Sequence, residues 1–88
     1  MFEKFDVVEV NNKNFIVLNI INHNNNLYLY LINEDENNDE YSIVKVINQN
    51  DKIFFDGVSD EEYQIITNKL VLDNKEEMKE ILSSYEEN

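Results

Sequence analysis

The chain of 88 residues has no cysteine, proline, arginine or tryptophan, and only one glycine and one histidine. Each absence closes off a class of protein. Without cysteine there is neither a disulfide scaffold nor a thiolate metal site, and a lone His23 cannot complete the usual zinc sets. With Gly57 as the only glycine, neither a G-x-G-x-x-G turn nor a P-loop can be built. Seven lysines stand against nineteen carboxylates, a net charge of −12, so the surface repels phosphates and offers few cations to displace counterions. Direct nucleic-acid binding is therefore not expected. The longest wholly apolar run, Leu27 to Ile32, is far short of the ~20 residues a membrane span needs. Anionic lipid would repel the acidic faces. The opening Met1-Phe2-Glu3-Lys4-Phe5-Asp6 lacks a basic region followed by an apolar stretch, which makes cytoplasmic residence the expectation.

What is present reads as a folded domain. Five phenylalanines and five tyrosines, within a chain that is 42% hydrophobic, set it apart from a charged disordered tail. Sixteen asparagines take the place of glycine, since Asn tolerates the left-handed backbone region that hairpin turns require. A chain this size buries one core, and residues 1–88 are read as one domain with a frayed tail at 86–88.

Apolar patterning predicts strands at Phe5–Val10, Phe15–Ile21, Leu27–Ile32, Tyr41–Ile47 and Lys52–Phe55. Polar connections follow at Asn11–Asn14, Asn22–Asn26 and Asn48–Asp51, with an exposed acidic loop over 33–40. Strict alternation in the second strand puts Phe15, Val17 and Ile21 on one face and Ile16, Leu18 and Ile20 on the other. In the third, the leucines share a face opposite Tyr28 and Tyr30. Short connections argue for an antiparallel meander of four or five strands, curled because both faces are apolar.

A cover of one or two C-terminal helices is expected, giving an α+β fold. Ser59 and Glu62 have capping-box spacing, followed by an apolar stripe of Tyr63, Ile66 and Leu70. β-branched Ile65, Ile66 and Thr67 leave a strand–turn–strand over 63–72 as the alternative. A second helix starts from Asp73 as cap, with Met78, Ile81, Leu82 and Tyr85 on one face. The expected core comprises Val8, Ile16, Leu18, Ile20, Leu29, Leu31, Val44, Val46, Phe54, Ile81 and Leu82. Gly57 is expected to end the sheet before the Ser59 cap.

Little of this carries chemistry. His23 has no nucleophile at a defined spacing. The run Glu34, Asp35, Glu36, Asp39 and Glu40 lacks the glycine and flanking helices of an EF-hand. Carboxylate pairs of the glycosidase kind are unavoidable among nineteen acids, but a small meander offers little pocket to tune them. Tyr28, Tyr30 and Tyr41 lack the positive groove that a platform for single-stranded nucleic acid needs. No enzyme, cofactor or metal site is expected.

The order of Phe5-Asp6-Val7-Val8-Glu9-Val10, Phe15-Ile16-Val17-Leu18, Leu27-Tyr28-Leu29-Tyr30-Leu31, the acidic loop and a Glu-rich end resembles the small acidic DUF1292/YrzB-like proteins of Firmicutes. Asn stands where such proteins often carry hairpin Gly. The resemblance implies a compact cytoplasmic bacterial domain with no established activity, and it carries over no catalytic residue. Two function classes follow from the charge. One is an interaction or regulatory module for another cytoplasmic protein, with a candidate surface of Glu34, Asp35, Glu36, Asp39, Glu40, Asp60, Glu61, Glu62, Glu76, Glu77 and Glu80. The other is a nucleic-acid mimic, a phage or mobile-element type of inhibitor, whose acids would line up to fill the basic groove of a DNA- or RNA-binding protein.

Overall fold

The computed structural model describes residues 1–72. The second helix expected from Asp73 onward, core candidates Ile81 and Leu82, and the tail lie outside the described residues. The described chain divides into two compact units, Met1–Val58 and one that begins at Ser59.

The first unit is a five-stranded antiparallel sheet in sequential order: β1 (Val7–Val10), β2 (Lys13–His23), β3 (Asn26–Asn33), β4 (Tyr41–Gln49) and β5 (Lys52–Asp56). The expected meander is what forms. Three of its four connections are tighter than the polar runs suggested. Only Asn11-Asn12, Asn24-Asn25 and Asn50-Asp51 lie between paired strand ends, and all six residues have positive φ, between 49° and 65°. That is the type I′ pattern, whose twist matches the strands it joins. The flanking asparagines extend the ladders, as in the pairs His23↔Asn26 and Glu9↔Asn14.

Strict alternation fails once. The β2–β3 register shifts between Val17 and Asn19, so Leu18 is the extra residue of a β-bulge. Beyond it, Ile20 pairs with Leu29 and Ile21 with Tyr28. Ile20 therefore joins the face of Phe15 and Val17, while Ile21 shares the face of Ile16. The Asn19 side chain accepts the Ile20 N–H at 2.9 Å, a bond that secures the distorted backbone.

The face carrying Phe15, Val17, Leu29, Leu31, Val8 and Val44 forms a continuous buried cluster, with Phe2, Val10, Ile20, Val46 and Phe55 packed against it. Val8 on β1 and Phe55 on β5 belong to the same cluster although three strands separate them, and the Phe2 and Phe55 rings lie 5.8 Å apart. The sheet is nearly closed into a barrel. Burying a leucine as completely as Leu29 or Leu31 contributes about 2 kcal/mol each. Of the expected core, Val8, Leu29, Leu31 and Val44 are buried, whereas Ile16 and Leu18 are half-buried and Phe54 is 50% exposed. The bulge displaces Leu18, and Phe54 alternates away from the cluster on an edge strand. Phe15, Val17, Ile21, Tyr28 and Ile43 are buried in addition.

The second unit opens with a helix, α1, over residues 60–72, so the hairpin alternative for 63–72 is not what forms. The capping box is complete: the Ser59 N–H donates to Glu62 Oε1 and the Glu62 N–H to Ser59 Oγ, both at 3.1 Å. Ile66 and Leu70 are buried, but Tyr63 is 53% exposed, so the apolar stripe does not include it. The Thr67 hydroxyl donates back to the Tyr63 carbonyl at 2.8 Å, which lets a β-branched polar residue sit inside the helix. Gly57 does lie between sheet and cap, with φ outside the left-handed region and open space where a Cβ would stand.

Candidate acidic interaction surface

Among the described residues, the β3–β4 connection is the loop that carries the most acids and the most hydrogen bonds. Its frame comes from asparagine and aspartate. At the end of β3, the Asn33 N–H donates to the Glu40 carbonyl at 2.8 Å, while its side-chain Oδ1 accepts the Asp35 N–H at 2.9 Å. Asp35 Oδ1 accepts the Asn37 N–H at 3.0 Å, and Asn38 Oδ1 accepts the Glu40 N–H at 3.1 Å. Three successive Asx turns thus replace the missing glycine and proline as a means of bending the chain. The Asn38 N–H also donates to the Asp35 carbonyl at 2.9 Å.

β2 supplies the outer brace. It runs past the end of β3, since Phe15 pairs with Asn33, and so places Lys13 and Asn14 beside the loop. The Glu34 N–H donates to the Asn14 carbonyl at 3.0 Å. Lys13 Nζ lies 3.4 Å from both Glu40 carboxylate oxygens, and Asn33 Nδ2 donates to Oε1 at 3.1 Å. The Asn33 amide, aided by the Lys13 hydrogen bond and charge, holds the Glu40 carboxyl below its ordinary pKa of 4.5 against the opposing effect of desolvation. Glu40 is thereby spent on the frame. Glu34, Asp35, Glu36 and Asp39 are exposed. Lys13, Asn14, Asn33, Glu34 and Asp35 line a wide, shallow concavity of about 450 Å³.

The other candidates fall elsewhere. Asp60, Glu61 and Glu62 occupy the first turn of α1, where the helix dipole favours negative charge, and Glu62 closes the capping box. Glu76, Glu77 and Glu80 lie outside the described residues. Among the described residues, no group of three or more His, Asp or Glu side chains could hold a metal ion. His23 sits half-buried at the end of β2 opposite Asn26. Tyr28, Tyr30 and Tyr41 are engaged within the sheet: Tyr30 stacks on Tyr41 with centroids 5.8 Å apart, and Lys45 Nζ lies 5.9 Å from the centroid of buried Tyr28.

The exposed loop is visible in the sequence, but its frame is not. By sequence alone Lys13, Asn14, Asn33 and Asn38 are only turn or loop residues. The signal was the repeated two-residue spacing of Asn33 with Asp35, Asp35 with Asn37, and Asn38 with Glu40, which is what Asx turns require.

No family model matches the chain, and neither a curated protein nor a solved structure matches it significantly. The resemblance to DUF1292/YrzB-like proteins rests on the quoted residues alone. Among the described residues no helix is long and apolar enough to cross a membrane.

Proposed function

We propose that the protein is a non-enzymatic interaction module whose β3–β4 loop presents exposed carboxylates to a basic surface on a protein partner. The observation that supports this most is the loop's frame. A loop already bent by its own hydrogen bonds loses less conformational freedom on binding than a slack one, so more of each ionic contact remains as affinity. The net charge of −12 adds long-range attraction, which raises the association rate with a basic partner. Glu34, Glu36 and Asp39 supply the contacts, and Asp35 contributes charge while holding the turn. The scarcity of histidine, glycine and cysteine favours binding over catalysis.

The test is affinity capture from an extract of the native cell, comparing the wild type with Glu34→Gln/Asp35→Asn/Glu36→Gln. These changes remove charge but keep an acceptor oxygen at position 35 for the turn. The expected result is a defined partner whose retention falls with the substitutions and with salt, and is unaffected by duplex DNA or RNA. Retention that survives all three substitutions would overturn the role of the loop. Competition by duplex would reassign the surface to nucleic-acid mimicry.

A further inference from the structure

The free edge of β5 is self-complementary, and we infer that two copies of this chain pair there, antiparallel, about a two-fold axis at Phe54. The Asn50-Asp51 turn fixes which backbone groups of β5 face outward. Both residues have positive φ and the ladder closes on Gln49↔Lys52, so in this two-residue hairpin the Lys52 N–H is directed back at β4. Hydrogen-bonding direction alternates along an antiparallel strand, and the β4–β5 register has no irregularity. Lys52, Phe54 and Asp56 therefore spend their backbone groups on β4, and Ile53 and Phe55 direct theirs outward. Among the described residues β5 is paired on one side only, and no other backbone bond reaches it.

Such an edge pairs with another strand unless something blocks it. β5 has no proline, no bulge and no excess of one charge, and although the sheet is nearly closed and Phe2 packs on its inner face at Phe55, Ile53 and Phe54 remain 53% and 50% exposed. In the pairing centred on Phe54, Ile53 of one copy exchanges both backbone bonds with Phe55 of the other. Phe54 then faces Phe54 of the second copy at the non-hydrogen-bonded position, where side chains approach most closely. The strand sequence Lys52-Ile53-Phe54-Phe55-Asp56 places each Lys52 opposite Asp56 of the second copy, so a pair of opposite charges closes each end. These three residues share the face away from the Phe2–Phe55 contact. The other edge strand lacks this symmetry: a two-fold pairing of β1 about Val8 would set Val7 against Glu9.

The interface is short, and two chains each at −12 repel, so the dimer is weak and salt favours it. Sedimentation of the full chain at about 1 mM, at low and moderate salt, tests it. The expected result is reversible dimer whose fraction rises with concentration and salt, and no larger species. Lys52→Asp and Asp56→Lys each set like charges across the axis and abolish the dimer, and combining them restores it. Backbone NMR spectra confirm that each variant is folded. In the wild type, amide exchange at Ile53 and Phe55 slows as concentration rises, while Phe54 is protected throughout by β4. A chain that stays monomeric in every condition overturns the inference. So does a dimer that forms without slowing Ile53 and Phe55, or one that Lys52→Asp leaves intact.

Discussion

A single left-handed residue costs an ordinary side chain about 1–2 kcal/mol, and this chain adopts that region with almost no glycine. At the hairpins the expense is small, because five of the six turn positions are Asn. Phe5 is different. It has φ of 74° and is 74% exposed, held by its N–H bond to the Val17 carbonyl at 2.7 Å. An exposed aromatic gains little there to offset the strain. Phe5→Gly, which keeps the N–H, should raise stability by about 0.5–1 kcal/mol in urea unfolding. A loss of stability would show that the ring makes contacts worth more than the strain. Glu40 gives a second residue-scale expectation. Its folded-state pKa lies below the ordinary 4.5, so its contribution is present above that pH and is lost as pH falls through the folded value. Wild-type stability should therefore converge on that of Glu40→Gln as the pH is lowered from neutrality. A gap independent of pH would mean that the charge is not what matters.

At the level of elements, residue type and spacing carry most of the information. The capping box was legible because two residues three apart each satisfy the other's N–H. Ser59→Ala should cost about 1 kcal/mol, measured by unfolding and by loss of helical signal at 222 nm. An unchanged midpoint would mean that α1 does not depend on its cap. The five strands and the acidic loop were legible for the same reason, since apolar alternation and a run without apolar residues are local signals. The bulge at Leu18 was not. It is set by how β2 pairs with β3, and one extra residue reverses which side chains face the core. That single event moved Ile20 and Ile21 between faces. Tyr63 was misplaced for a related reason: spacing alone defines a stripe, but the buried positions of α1 are Ile66 and Leu70. The loop is exposed, as its lack of apolar residues implies, yet its order depends on Lys13 and Asn14, which only the overhang of β2 brings near.

For the whole molecule the dominant fact is a charge of −12 on 88 residues. The Lys13–Glu40 pair is partly exposed and offsets little of the repulsion. Raising salt from ~10 mM to ~150 mM, where the screening length is about 8 Å, should therefore raise the melting temperature. A fall at unchanged oligomeric state would show that attractive pairs dominate. The functional reading depends more narrowly on the acidic loop being held in place before any partner arrives. Backbone ¹⁵N relaxation across residues 33–40 measures this directly. Order parameters near the ~0.85 of rigid backbone, matching β3 and β4, are expected, together with a drop when Asn33→Ala removes the side chain that anchors both Asp35 and Glu40. Values below about 0.6 in the wild-type loop would contradict it.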